Sequence, residues 1–361
     1  MSFSIPVYQE PDFNRQPFLD SPSVSVKPVI QDGVAPDNYH ATTIFPEYFK
    51  IGGTWKLITE SRMDCVVVLR EDSLEVKEFR RLVQGEQVVV GRTEDGSEGI
   101  YVHTRGFSSG SGSGELFSFR TGRSRETSYS RDYDRLYELL RYERENGFIL
   151  WVLGPAVVFD SDSRRAMASL VEQGFVHAIL GGNALATHDL EGALFQTALG
   201  QDIYTQEHTP NGHYHHLDVI NRARRYSSLE EMIAASGITS GVVEACARCR
   251  VPVVLAGSIR DDGPLPGVIA DAYQAQDRMR MFTRKATTVL GLATQLHSIA
   301  TGNLTPAYQV VDSRVRPVYI YSVDVAEFAV NKLRDRGTLE VTSIVTNIQD
   351  FLVNLERNLT G

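Results

Sequence analysis

From Gly147 onward the sequence alternates short apolar runs with amphipathic stretches, and this alternation restricts the fold more than any other feature. FILWVL is followed by SRRAMASLVEQG, VHAILGG by DLEGALFQTALG, and VPVVLAG by GVIADAYQAQDRMRMF. ATTVLGL then precedes a short helical stretch, PVYIYSV precedes DVAEFAVNKLRDRG, and VTSIV precedes IQDFLVNLERN. Apolar runs without polar alternation suit strands buried on both faces. Strand and helix repeated in this way predict an α/β fold with a mostly parallel, Rossmann-like sheet covered on both faces. Right-handed crossovers bring the strand C-termini to one edge, where such sheets bind ligands.

The earlier residues read differently. Residues 63–69 (MDCVVVL), 86–91 (EQVVVG) and 99–103 (GIYVH) are short β-branched runs between Gly- and Asp-containing turns, which predict a small β-rich domain over 36–128. Residues 1–35 mix Pro, Ser, Asp and Asn without periodicity and read as an extended arm, either packed on a neighbour or disordered. The segment FSSGSGSGE at 107–115 is a Gly/Ser loop whose glycines do not match the G-x-G-x-x-G fingerprint. Residues 129–146 carry apolar positions at helical spacing and predict a connecting helix, leaving 147–361 as the α/β domain.

Composition narrows the class. The 361 residues carry 36 Lys plus Arg against 45 Asp plus Glu, a net charge of -9, which argues against a nucleic-acid binder. Cys65, Cys246 and Cys249 cannot build a disulfide framework, so a reducing, cytoplasmic setting is expected. The N-terminus shows no signal-peptide pattern, and the longest apolar stretch, FILWVLGPAVVF, is broken by Gly-Pro and too short to cross a bilayer.

Small and polar residues follow every apolar run. Gly154, Pro155 and Ala156 stand after the first, and Gly182, Asn183, Ala184 and Asp189 after the second. Gly257, Ser258 and Ile259 follow the third, Thr294, Ser298 and Asn303 the fourth, Asp324 the fifth and Asn347 the sixth. Glycines let backbone N–H groups approach a ligand, and helix N-termini favour anionic groups such as a pyrophosphate. Asp324 is placed to accept from ribose hydroxyls. Singly, each position also reads as a turn or a helix cap; together they predict a nucleotide-like ligand. Thr239, Ser240 and Gly241 open a further helical stretch and read first as a cap. In SIRDDGPLP, Arg260 suits a carboxylate substrate and Asp261 or Asp262 a proton acceptor, while Asp-Asp-Gly-Pro also makes a good turn. His213, His215 and His216 have no carboxylate or Cys at ligand spacing, so no metal site is expected and the segment reads as a site loop. The pair Cys246 and Cys249 reads as packing.

GPAVV, GGNALATHD, GHYHHLDVIN, TSG, LAGSIRDDGPLP, HSIATGN and the Asp324 strand end follow one family's pattern in order and at similar spacing. The chain resembles the archaeal-type ornithine cyclodeaminases, also found as the C-terminal part of cyanobacterial bifunctional arginine dihydrolase–ornithine cyclodeaminases and related to a lysine-oxoglutarate reductase/saccharopine dehydrogenase region. NYHATTIFP, Gly53-Thr54-Trp55 and Met63-Asp64 look like that family's small domain, so the resemblance runs from about Asp37 to the C-terminus. It implies an NAD-binding domain of the deoxyhypusine-synthase-like kind, with the strand-end residues and Thr239, Ser240 and Gly241 around NAD. It implies conversion of L-ornithine to L-proline and ammonia, a lyase reaction in amino-acid metabolism. Arg260 would anchor the substrate carboxylate and Asp261 or Asp262 would carry protons, with His213 and His297 in reserve. Asp324 favours NAD over NADP, because a carboxylate repels a 2′-phosphate. The sequence shows no dihydrolase region upstream, so arginine hydrolysis is not expected. A homo-oligomer acting on a small amino acid is the expected assembly. Two other readings stay open: an NAD-dependent imine-forming dehydrogenase or opine-type reductase on another amino acid or polyamine, and a non-catalytic NAD-binding protein.

Overall fold

A computed structural model describes residues 3–107, 129–261, 263–325 and 339–361. Asp262, the Gly/Ser segment from 108 on, and the helix expected over 324–337 from residue 326 on lie outside the described residues.

All six apolar runs form strands: β8 (Ile149–Leu153), β9 (Ala178–Gly182), β12 (Val253–Ala256), β13 (Thr288–Leu292), β16 (Tyr319–Asp324) and β17 (Glu340–Val345). They pair in parallel in the order β12-β9-β8-β13-β16-β17. The chain therefore winds outward from β8 in one direction, returns to β13, and winds outward in the other. Between β8 and β13 the winding reverses, the place where open α/β sheets form their ligand crevice.

Burial explains the missing polar alternation: β8 and β13 are buried at every residue. One face packs Trp151, Leu153, Leu290 and Leu292 against α2 (Ser161–Glu172) and α9 (Ile348–Thr360). The other face packs Leu150, Val152 and Val289 against α7 (Ala272–Thr283). The amphipathic stretch after β12 becomes helical later than its sequence suggests. Ile269 runs beside β12, donating its N–H to the Leu255 carbonyl at 2.9 Å, and Asp271 then caps α7 through the Gln274 N–H at 2.7 Å. Between β9 and β12 the chain folds α3 (Asn183–Phe195), a short hairpin β10 (Thr197–Ala198) and β11 (Gln201–Asp202), and helices α4 (His215–Ala223), α5 (Leu229–Ser236) and α6 (Val242–Cys249). After β13 comes α8 (Gln295–Leu304), then the antiparallel pair β14 (Tyr308–Val311) and β15 (Arg314–Pro317).

The N-terminal region is β-rich, with a four-stranded antiparallel sheet and a three-stranded one. The first contains β1 (Ser25–Pro28), β6 (Gln87–Val90), β4 (Val66–Arg70) and β5 (Ser73–Lys77); the second contains β3 (Thr54–Leu57), β2 (Glu47–Ile51) and β7 (Ile100–Val102). The stretch read as an arm thus supplies an edge strand, β1, and its Pro28 sits at that edge, where a missing N–H costs no central ladder bond. Further back, the Phe3 ring meets Tyr142 and Tyr319 at 5.6 and 5.8 Å. α1 (Tyr129–Asn146) then leads into β8. The two regions meet through Glu78, which accepts from Arg62 and Arg280, and through the Tyr308 hydroxyl, which donates to the Ile58 carbonyl at 2.6 Å. Among the described residues no helix is long and apolar enough to cross a membrane.

Candidate functional site

The helix starts of the α/β region divide into two kinds. Asp160 caps α2, Ser228 caps α5, Asp271 caps α7 and Asn347 caps α9, each through its own side chain. By contrast, the 3-10 turn Pro155–Val158 after β8, α3 after β9 and α8 after β13 begin at Gly154, Gly182 and Thr294 with no side-chain cap. Uncapped first-turn N–H groups at a strand end are ready donors to an anion, and the helix dipole adds to the attraction. These three lie beside the topological reversal; among the other described helices, α4 likewise opens without a side-chain cap and α6 has no cap of its own. Asn347 therefore serves as a cap, its Oδ1 accepting from the Gln349 and Asp350 N–H groups at 2.9 and 3.2 Å.

Close packing explains Gly154. A Cβ on Gly154 would stand 2.0 Å from the Ala293 carbonyl oxygen, and the Gly154 N–H donates to the Leu292 carbonyl at 2.8 Å. A Cβ on Gly182 would lie 3.4 Å from His297 Cε1, which brings the start of α8 across to the end of β9. Ala156, beside Pro155, is tied through its carbonyl to Gln349 of α9 at 3.0 Å.

The loop after β12 supplies the charged residues. Asp261 Oδ2 accepts from the Ser258 N–H at 2.8 Å, and Ser258 Oγ accepts from the Arg260 N–H at 3.0 Å, so the acid and the serine fold the turn. Ile259 and Arg260 point outward and are exposed. Gly257 is pinned under Ile269, donating to its carbonyl at 2.8 Å. Asn183, at the start of α3, holds the far side of this loop: its Nδ2 donates to the Gly263 carbonyl at 3.2 Å and its Oδ1 accepts from the Leu265 N–H at 3.0 Å. The side-chain amide expected at the cofactor is thus engaged in placing the loop, while Ala184 beside it is exposed.

His297 is half-buried, and burial pushes its pKa down, opposed by the nearby Asp261 charge. The ring is therefore a neutral acceptor near neutral pH. The next residue, Ser298, is buried with no partner for its hydroxyl among the described residues, packed where a Cβ on Gly291 would meet it at 2.4 Å. Asp324 ends β16 half-buried, level with Val345 of β17.

Other expected residues stand apart. Asp189 is buried: its Oδ1 accepts from Arg164 Nε at 2.7 Å and the Val242 N–H at 3.0 Å, and its Oδ2 accepts from the Val243 N–H at 2.7 Å. Both oxygens thus cap α6 and neutralise a buried guanidinium, a structural task that leaves little for a ligand. Gly241, at φ +120°, fits beneath this pair, and the Ser240 carbonyl accepts from Arg164 Nη2 at 2.9 Å, while Thr239 is exposed. Asn303 lies in the last turn of α8, its carbonyl held by Arg62 at 2.7 Å, about 12 Å along the helix from the strand end. His213 is exposed, its ring 4.2 Å from that of Tyr214. Cys246 is buried and Cys249 exposed on α6, both free thiols.

Sequence reasoning passed over a network next to these residues. His188 Nδ1 meets Glu191 Oε2 at 2.7 Å, Thr197 Oγ1 donates to Glu191 Oε1 at 2.9 Å, and His215 Nδ1 meets Thr197 Oγ1 at 2.8 Å. The (i, i+3) spacing of His188 and Glu191 within GGNALATHDLEG was the available signal.

Comparison with known proteins agrees with this architecture. Residues 136–355 match the model of the arginine dihydrolase ArgZ-like, C-terminal, Rossmann-fold family, and residues 46–128 match that of the first region of the same C-terminal part. The chain belongs to the ArgZ-like C-terminal family. An ornithine cyclodeaminase of Methanopyrus kandleri is 38% identical over 343 residues, covering 93% of this chain and 78% of that protein. The crystal structure of a LOR/SDH protein from Methanococcus maripaludis superimposes with a TM-score of 0.83 at 34% identity, covering 94% of this chain and 98% of that one. The ternary complex of AgrE with ornithine and NAD+ superimposes with a TM-score of 0.60 at 34% identity, covering 94% of this chain and 46% of AgrE. The ArgZ-like family thus includes enzymes named ornithine cyclodeaminases, and the chain spans about half of the bifunctional ones.

Proposed function

We propose that this protein binds NAD+ along the carboxyl edge of its parallel sheet and converts L-ornithine to L-proline and ammonia. The observation that carries the reading is the set of uncapped helix starts at Gly154, Gly182 and Thr294, gathered at the sheet's reversal in a chain similar along nearly its whole length to a protein bound to ornithine and NAD+. The residues fit such a group: Gly154, where a Cβ has no room, free first-turn N–H groups for a pyrophosphate, and a buried Ser298 hydroxyl in need of a partner. Asp324 stands at the end of β16 as the acceptor for ribose hydroxyls.

When bound, NAD+ supplies an acceptor for a hydride from the substrate's α-carbon and returns that hydride after ring closure. The protein's part is to place and shield the amino acid. Arg260 takes the substrate carboxylate, which its exposed guanidinium is able to pair bidentately. Asp261 and the neutral His297 hold or accept protons on the amines, and Asp262 follows Asp261 in the sequence.

Purified protein given NAD+ and L-ornithine should release proline and ammonia in equal amounts with no net reduction of the cofactor. Net reduction would instead favour a dehydrogenase or opine-type reductase. Thermal stabilisation by NAD+ without turnover of any amino acid would favour a binding protein.

A further inference from the structure

The network of His188 and Glu191 has no place in the steps above, yet it has the construction of a proton carrier. Ala184, His188 and Glu191 follow one face of α3 at (i, i+4) and (i, i+3) steps, from exposed Ala184 at the helix start to fully buried Glu191. The Glu191 carboxylate accepts from His188 Nδ1 at 2.7 Å, Thr197 Oγ1 at 2.9 Å and the Gly200 N–H at 3.2 Å. Burial alone would raise its pKa, but these hydrogen bonds outweigh burial and hold it below the usual value. Glu191 is therefore ionised and accepts only, which puts the proton of a neutral His188 on Nδ1 and leaves Nε2 as a bare acceptor. Thr197, donating to Glu191, accepts in turn from His215 Nδ1 at 2.8 Å. No described residue bonds His188 Nε2, and that atom is not sealed from solvent. Phe159, from the segment after β8, stands edge-on to the ring at 5.5 Å, and His216 of α4 lies 6.2 Å away.

We propose that His188, oriented by Glu191, takes the proton from the substrate's α-ammonium and later returns it to the ammonia that leaves. This rests on the ornithine reading above. An ammonium has no lone pair with which to form a C=N bond, so an N–H bond must break before the α-hydrogen departs. That bond's electron pair stays on nitrogen, the proton binds Nε2, and the α-C–H pair leaves as hydride to the bound nicotinamide. The imidazolium so formed is stabilised by the ionised Glu191, and its proton goes back to the nitrogen released after ring closure. His215 through Thr197, His216 from α4 and Glu191 on the same helix are the titratable groups facing this ring.

The test compares wild type with His188→Gln, Glu191→Gln and Thr197→Val. His188→Gln should bind NAD+ within about twofold of wild type while kcat falls by at least about a hundredfold, in the range of general-base catalysis. The acidic limb of its pH–kcat profile should vanish, and imidazole should restore turnover to His188→Gly. Glu191→Gln should lose kcat with the limb displaced, and Thr197→Val should lose less. Three results overturn the proposal: His188→Gln keeping more than a tenth of wild-type kcat with its acidic limb intact, absence of imidazole rescue, or loss of NAD+ binding together with activity. Failure of the wild type itself to release ammonia from ornithine would sink the functional reading instead.

Discussion

At the amino edge of the parallel sheet an ion pair is buried, beside Thr288 and Tyr319 hydroxyls that have no partner among the described residues. Glu143, fully buried at the end of α1, is bound by Arg316 of β15 and by the Thr287 hydroxyl, and Phe3 covers Tyr142 and Tyr319 nearby. At the carboxyl edge the first-turn N–H groups after β8, β9 and β13 are left uncapped, Arg260 is exposed, and His297 and Asp261 are half-buried. Volume does not distinguish the edges, since a cavity of about 1240 Å³ lies at the amino edge between the arm, Glu145, Lys285 and the β14–β15 pair. What distinguishes them is how charge and helix ends are covered. A buried ion pair holds the fold, whereas exposed charge and uncapped helix starts are available to a ligand.

Variants at the two edges should therefore fail differently. Arg316→Met leaves Glu143 buried without its cation and should cost about 3–5 kcal/mol of stability, measured by denaturant unfolding, with NAD+ affinity of the folded protein unchanged. Loss of NAD+ affinity without loss of stability would break the contrast. Glu340, at the start of β17 on the same edge, comes next. Burial raises its pKa from 4.5 to about 7, with Arg135 opposing. Its folded form thus holds a proton that the unfolded chain releases. The resulting stability is fully present below about 4.5 and is lost as pH rises to about 7. The slope is about 1.4 kcal/mol per pH unit inside that window, and Glu340→Gln should flatten it.

At the carboxyl edge, Gly154→Ala drives a Cβ against the Ala293 carbonyl, an overpacking worth about 1–3 kcal/mol. We expect it to appear as weakened NAD+ binding by calorimetry, alongside a smaller fall in melting temperature. The subtlest change is Asp261→Asn. Asp261 is the charge that opposes the burial of His297, so its removal should lower the His297 pKa further, seen by NMR titration, with almost no effect on stability. An upward shift would mean that the two side chains do not share one site.

The six strands were legible because uninterrupted apolar runs leave a doubly covered sheet as their natural outcome, and their order follows the rules of crossover handedness. The β14–β15 pair and the helices between β9 and β12 were less legible, since His215–Ala223 and Val242–Cys249 are short and their boundaries depend on what they pack against. Ser25–Pro28 looked like a loose arm because a four-residue edge strand ending in Pro carries little signal until its partner β6 is known.

The sequence by itself determined the sheet and the edge to which its strand ends lead. Local pattern suffices for that, because periodicity and chain connectivity fix strand direction. Only the tertiary structure decided what each polar residue does. Asp189 and Asp261 look alike along the chain, yet Asp189 is closed off by Arg164 and the start of α6, whereas Asp261 is half-buried, folds its own turn through the Ser258 N–H and acts on the charge of His297. The same holds for Asn183, which positions a loop 80 residues away, and for Glu191, whose partners Thr197 and Gly200 come from the turn beyond its own helix. A hydrogen-bonding group is available for function only when no other part of the chain has claimed it, and distant parts of the chain meet only in three dimensions.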